Sequence, residues 1–156
     1  MIRPATPEDA SAIAALFHRT VRLVNSRNCT PAQVAAWAGP APDPEKWRGR
    51  QATRVTLVDE ADGILRGFAE LQPGGHVDAF YVSADHQRQG VGRKLLHRIE
   101  AEARARGERR LTTDASINAV PFFTAHHWRV EAEQVVRYQG ESFRNFPMTK
   151  SVSAAS

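Results

Sequence analysis

The sequence predicts a mixed α/β fold in a single domain, and three observations carry that reading. Apolar residues recur at helical spacing near the start of the chain and again after Gly92. Between these helices lie three runs with strand character, separated by turn signals. The run Ala79-Phe80-Tyr81-Val82 leads through Gln87-Arg88-Gln89-Gly90-Val91-Gly92 into Arg93-Lys94-Leu95-Leu96, which reads as strand, glycine-containing loop and amphipathic helix. The predicted order is β, α, α, three strands in meander, then α, β, α, β, β. It lacks the regular alternation of a doubly wound dinucleotide fold.

Each element has a local cause. Ile2 to Ala5 is a short first strand. Thr6 caps the next helix, with Pro7 at its first position and Glu8 and Asp9 in its first turn. Ile13, Leu16, Phe17, Val21 and Val24 give that helix one apolar face. A second helix starts after Thr30-Pro31 and runs through Val34 and Trp37 to Gly39; the proline-dense stretch to Pro44 is a loop, and Glu45 to Arg48 adds a helical turn. Arg54 to Val58 is a β-branched strand, Asp62-Gly63 a hairpin turn, and Leu65 to Leu71 the returning strand. Pro73-Gly74-Gly75 turns into a strand from His76 to Val82. The helix from Val91 to Arg106 ends at Gly107, a C-cap glycine. Leu111 to Thr113 is a short strand, and Asn118 caps a helix with Pro121 in its first turn. Two last strands, Arg129 to Gln139 and Ser142 to Lys150, meet at Gly140-Glu141. The expected domain is 1–150, with 151–156 a frayed tail of small and polar residues.

Composition narrows the function classes. With 156 residues, 42% of them hydrophobic and 24% charged, the chain is one ordinary globular domain with a full core. No apolar run approaches the ~20 residues that span a bilayer. Met1 to Asp9 lacks the charged-then-apolar layout of a secretory signal, so a cytoplasmic protein with no membrane partner is expected. The single cysteine, Cys29, excludes an intrachain disulfide and a multi-cysteine zinc site, and no metal is expected. The net charge of +4 is spread along the chain; Arg104, Arg106, Arg109 and Arg110 are interleaved with Glu102 and Glu108 as in a solvated helix end. No nucleic-acid partner is expected.

The loop carries the chemistry. Backbone N–H groups converge at a helix start, the helix dipole favours negative charge there, and glycine lets a phosphate approach the main chain. The loop matches neither G-x-G-x-x-G nor G-x-x-x-x-G-K-[ST]. Gln87-x-x-Gly90-x-Gly92, directly after a strand, instead resembles motif A of the GNAT superfamily of N-acetyltransferases. Phe80-Tyr81-Val82 matches the family's bulged fourth strand, Val91 to Arg106 its long third helix, and Asn118-Ala119-Val120-Pro121-Phe122-Phe123 its later helix. The resemblance covers about residues 1–150. It implies a mixed central sheet, splayed between strands 4 and 5 and flanked by helices, and acetyl-CoA as the acetyl donor. Family members often form homodimers, so a homodimer is an open expectation.

Carried over, the resemblance places the pyrophosphate on the run Gln87, Arg88, Gln89, Gly90, Val91, Gly92 and Arg93. It pairs the pantetheine arm with the backbone of Phe80 and Val82, and turns an N–H near Phe80 or Tyr81 toward the thioester carbonyl. Asn118 reaches the pantetheine or caps its own helix. Arg88 stands where many relatives have glycine. Phe123 lines the donor and stands where many relatives carry a proton-donating tyrosine; phenylalanine has no proton to give. Either another group serves, Tyr81 or Tyr138 for example, or water protonates the thiolate, or the domain binds acetyl-CoA without fast turnover. Water is the favoured reading; a non-catalytic acetyl-CoA-binding domain is the runner-up function.

An amine acceptor must lose a proton to react. His76, four residues before Phe80, is the first candidate base, since an imidazole titrates near neutral pH. Asp78 shares its face by strand alternation unless the bulge intervenes, and either orients His76 or acts as base through water. Glu70 is a third candidate. The bland alternative has His76 opening a strand and facing solvent. The acceptor side includes Val24, Asn25, Arg27, Cys29, Trp37, Trp47, Arg144 and Phe146. The two tryptophans either wall a pocket or fill the core, Cys29 has no activating neighbour, and the acceptor stays open: a small amine, an antibiotic-like compound or a protein amine.

Overall fold

A computed structural model describes residues 1–153. Among the described residues eight strands are present: β1 (Ile2–Pro4), β2 (Val55–Ala61), β3 (Ile64–Gln72), β4 (His76–Val82), β5 (Arg110–Ala115), β6 (Arg129–Val130), β7 (Gln134–Tyr138) and β8 (Glu141–Ser151). Five α-helices accompany them: α1 (Ala10–Leu23), α2 (Pro31–Ala38), α3 (Pro44–Gln51), α4 (Val91–Ala105) and α5 (Val120–Ala125). The sheet order is β1-β2-β3-β4-β5-β8-β6, with β7 paired to β8. Among the described residues only β4 and β5 run parallel, and every other pairing is antiparallel.

The two sheet faces bury different helices. Leu95, Leu96 and Ile99 of α4 meet Leu57, Leu71, Leu111, Phe123, Trp128 and Met148 on one face. Ile13, Phe17 and Val21 of α1 meet Trp47, Val58, Phe68 and Ala79 on the other. Gly67 lets α4 lie close: a Cβ there would sit 2.9 Å from Leu95 and 3.0 Å from Val91. Glu100 of α4 is buried, accepts from Trp128 Nε1 at 3.1 Å and Lys150 Nζ at 2.8 Å, and so ties α4 to β8.

Several boundaries differ from expectation for physical reasons. Thr6 opens a tight turn, Pro7–Asp9, before α1 begins at Ala10. The expected single turn at Glu45 is a two-turn helix because Asp43 caps it, accepting from the Lys46 N–H at 3.3 Å. The expected strand 129–139 is broken into β6 and β7. Three residues, 131 to 133, face Phe146 and Pro147 of β8, and Pro147 has no N–H to continue the ladder. Glu131 instead gives its N–H to Pro147 O at 2.8 Å and accepts from Thr149 Oγ1 at 2.6 Å. The ordered chain also passes the expected boundary at 150. Ser151 pairs with Arg110, and Val152 is buried and donates its N–H to Arg109 O at 2.9 Å. Residues 154–156 of the expected tail lie outside the described residues.

The central sheet opens between β4 and β5. Only His76↔Thr112 and Val77↔Thr113 pair; beyond them β4 stays with β3, while Asp114 and Ala115 stay with Pro147 and Phe146 of β8. A bulge bends β4 at the same place. Val77 pairs Leu71 and Ala79 pairs Glu70, so Asp78 is the extra residue. Thr113 Oγ1 donates to Val77 O at 2.8 Å and pins the apex.

At the sheet's far edge Arg3 holds Asp9 with two bonds, 2.8 and 3.0 Å, and also grips Glu60. The Arg3 guanidinium keeps the Asp9 carboxyl below the usual carboxylate range. A folded value below the unfolded one gives stability that is present above the unfolded value, about 3.9, and is lost as pH falls. Asp9→Asn is expected to cost about 1–3 kcal/mol near neutral pH and progressively less below pH ~4. Urea denaturation across that range measures it; a penalty independent of pH would contradict the assignment.

Candidate active site at the strand splay

The splay exposes a strand edge of defined chemistry. Ser83 donates its N–H to Arg66 O at 2.8 Å, and hydrogen-bonded pairs alternate along an antiparallel ladder. Tyr81 therefore turns its backbone groups toward Phe68, and Phe80 and Val82 turn theirs toward the opening. The Val82 carbonyl is taken by Gln87 Nε2 at 2.8 Å, and Gln87 also reaches Ser83 O at 3.2 Å. The Gln87 side chain thus braces the loop on β4, and its neighbours keep their backbone for a ligand.

The loop itself winds into α4 through two left-handed residues, Arg88 at φ 60° and Gly90 at φ 82°. Lys94 makes the first helical bond, to Gly90 O at 3.1 Å, so the N–H groups of Val91, Gly92 and Arg93 point out of the helix start. The Val91 side chain is buried, which leaves its backbone as the part that faces outward, while Arg88, Gln89, Gly90 and Arg93 are exposed. A Cβ on Gly90 would touch nothing within 4 Å, and one on Gly92 would meet Phe122 at 3.3 Å and Val82 at 3.4 Å. Gly90 serves conformation and open approach; Gly92 lets α4 close against α5.

The wall opposite β4 is α5. Phe123 is buried, its ring 5.7 Å from Phe80 and 5.1 Å from Trp128, so it underlies the opening as core. Asn118 does not cap α5: the cap position is Ala119, and the Asn118 amide oxygen accepts from Asn28 in the α1–α2 connection. That bond ties the α1–α2 segment to the β5–α5 loop.

On the α1–α3 face of the sheet the titratable groups separate into two sets. His76 sits at the apex with Nδ1 2.7 Å from Thr112 Oγ1 and Nε2 3.7 Å from Asp114 Oδ2. Asp78 shares that face, as alternation requires, but its carboxylate is engaged elsewhere: Arg50 and Arg54 each reach Oδ2 at 2.5 Å. It therefore does not orient His76 here. Glu70 is fully buried beneath them and accepts from Arg50 at 2.6 Å; burial pushes its carboxyl up despite the arginine. Thr112 and Asp114 were not foreseen. Alternation along β5 puts them on one face, but the parallel register that brings them to His76 carries no sequence signal.

Farther out, Trp37 donates Nε1–H to the Tyr81 hydroxyl at 3.2 Å and packs on Tyr138 and Phe143, each at 5.3 Å. Burial pushes the Tyr81 phenol up to about 12. Trp47 is core, 5.0 Å from Phe17 and 5.2 Å from Phe68, and only Trp37 is open to an acceptor. Burial raises the Cys29 thiol, which lowers its thiolate fraction.

Arg88 carries the loop's strain, because a left-handed non-glycine residue costs roughly 1–2 kcal/mol. Arg88→Gly is expected to stabilise the fold by about 0.5–1 kcal/mol, and Arg88→Val to destabilise it by about 1–2 kcal/mol. Urea unfolding measures both, and a glycine variant weaker than wild type would contradict the loop geometry.

Comparison with known proteins agrees with this architecture. Residues 25–152 match the model of the acetyltransferase (GNAT) domain. The chain is 31% identical over 147 residues to the uncharacterised N-acetyltransferase YafP of Escherichia coli (strain K12), covering 94% of this chain and 93% of YafP. It superposes on the crystal structure of a GCN5-related N-acetyltransferase from Rhodopseudomonas palustris with a TM-score of 0.92 and 36% identity, over 97% of this chain and 95% of that one. YncA of Salmonella typhimurium, solved with its cofactor acetyl-CoA, shares the fold with a TM-score of 0.73 at 24% identity, over 100% of this chain and 95% of YncA. A strand splay, an N–H-lined loop and a family match over most of the chain agree: the protein belongs to the GNAT acetyltransferase family.

Proposed function

We propose that this chain transfers an acetyl group from acetyl-CoA to an amine by direct attack in a ternary complex. The observation that carries the proposal is the outward-turned backbone of Phe80 and Val82, continuous with the N–H groups at the start of α4. A pantetheine arm offers amides along its length and can add to β4 as a further strand, and the N–H groups from Gln89 to Arg93 suit its pyrophosphate. Acetyl-CoA bound to the YncA fold supports the same choice of donor.

The residues then divide the work. Gln87 fixes the loop against β4, and the N–H of Phe80 faces the thioester carbonyl, where negative charge builds as the amine adds. His76 takes the proton from the amine nitrogen as the new C–N bond forms. The C–S bond breaks, and the thiolate takes its proton from water, because Phe123 has none and lies in the core. Asp78 serves through its arginine pairs by holding the bulge at the turn of β4.

Two variants separate donor binding from chemistry. Gly90→Glu places a carboxylate and a strained left-handed residue on the anion cradle; the acetyl-CoA Kd is expected to rise by at least roughly tenfold, about 1.4 kcal/mol. His76→Ala is expected to lower kcat about a hundredfold while the acetyl-CoA Kd stays within about twofold. Thiol release with a panel of amines reads the second variant and calorimetry the first. Retained affinity in Gly90→Glu would remove the loop assignment, and an unchanged rate in His76→Ala would remove the base. Absence of thiol release with every amine, beside intact acetyl-CoA binding, would make the domain a binding module.

A further inference from the structure

The apex of the splay holds a hydroxyl, an imidazole and a carboxylate in line. Thr112 Oγ1 lies 2.7 Å from His76 Nδ1, and Asp114 Oδ2 lies 3.7 Å from Nε2 on the other side of the ring. Thr112 and His76 are directly paired residues of β5 and β4, and the next pair is locked by Thr113 Oγ1 on Val77 O at 2.8 Å. The ring is therefore held between two strands at the point where they part. Asp114 differs from the other acids of this face: Glu70 and Asp78 are consumed by Arg50 and Arg54, while Asp114, about half exposed, has no arginine or lysine partner among the described residues.

We propose that Thr112 and Asp114 are positioning residues for His76, with distinct tasks. Thr112 accepts a hydrogen bond from Nδ1–H and so keeps the ring proton on Nδ1. That leaves a lone pair on Nε2, on the side of the ring where Asp114 lies, to take the amine proton. Asp114 draws the incoming ammonium toward the apex, where it loses one proton to water and becomes the neutral amine that attacks. Asp114 then balances the imidazolium formed when the proton moves from the amine nitrogen to Nε2; the thioester loses CoA as a thiolate, and the ring later returns its proton to water. The charge balance closes within the pair, and no further reagent is needed. The assignment rests on His76 as the base.

Nitrogen-15 NMR of the histidine rings, with His76 identified by its loss in His76→Gln, tests the tautomer apart from turnover. Wild type is expected to show His76 protonated at Nδ1 and bare at Nε2. Thr112→Val is expected to show mixed tautomers and about a tenfold lower kcat with unchanged acetyl-CoA Kd, and Thr112→Ser to restore both. Asp114→Asn is expected to raise the amine KM and lower kcat/KM by about tenfold or more, again without changing the acetyl-CoA Kd. A wild-type ring protonated at Nε2 overturns the Thr112 assignment, because Thr112 would then be the donor; so does an unchanged kcat in Thr112→Val. An unchanged amine KM in Asp114→Asn overturns the second task. If His76→Ala keeps full activity, the base itself fails, whatever the tautomer, and the two failures are distinct.

Discussion

Two residue pairs join β4 to β5, and the site depends on the ladder stopping there. A full parallel pairing would satisfy the backbone of Phe80 and Val82 and leave no edge for a ligand. Separation is enforced from both sides. β4 is held by β3 through a bulge at Asp78, and β5 is held by β8 through Ala115. Unpaired strand edges inside a domain are costly unless something satisfies them. On the proposed function, an extended, amide-bearing molecule entering the opening would restore the missing bonds, and the edge and the helix start at α4 would form one site.

Charge is distributed to match. The upper end of the splay offers backbone N–H groups and a helix start, with no carboxylate in the loop from Gln87 to Arg93. The lower end is acidic but mostly neutralised, since Arg50 and Arg54 compensate Glu70 and Asp78. The arginines leave the apex with His76 and one uncompensated carboxylate, Asp114. On the proposed function, an anionic donor and a cationic amine would be directed to opposite ends of one cleft.

Much of this was legible in the sequence because it is local. The start of α2 after Thr30-Pro31, the hairpin at Asp62-Gly63, and the strand, loop and helix around Gly90 each follow from residues within a few positions of one another. The glycine-containing loop was legible for the same reason, whereas the left-handed backbone of Arg88 and Gly90 was not. What escaped depends on residues far apart in the chain. Asp78 is claimed by arginines more than twenty positions earlier, Asn118 is drawn from its cap position by Asn28, and the strand over 129–139 breaks because Pro147 of β8 lies opposite. The partners of His76 come from a parallel register across a helical crossover, which no periodicity encodes.

The central claim is that donor binding completes the open edge of β4. Amide hydrogen exchange with and without acetyl-CoA tests it residue by residue. Protection is expected to rise by at least about tenfold at Phe80 and across Gln89 to Arg93. Tyr81, already paired with Phe68, is expected to change little. Unchanged exchange at Phe80 in the saturated complex would contradict the account.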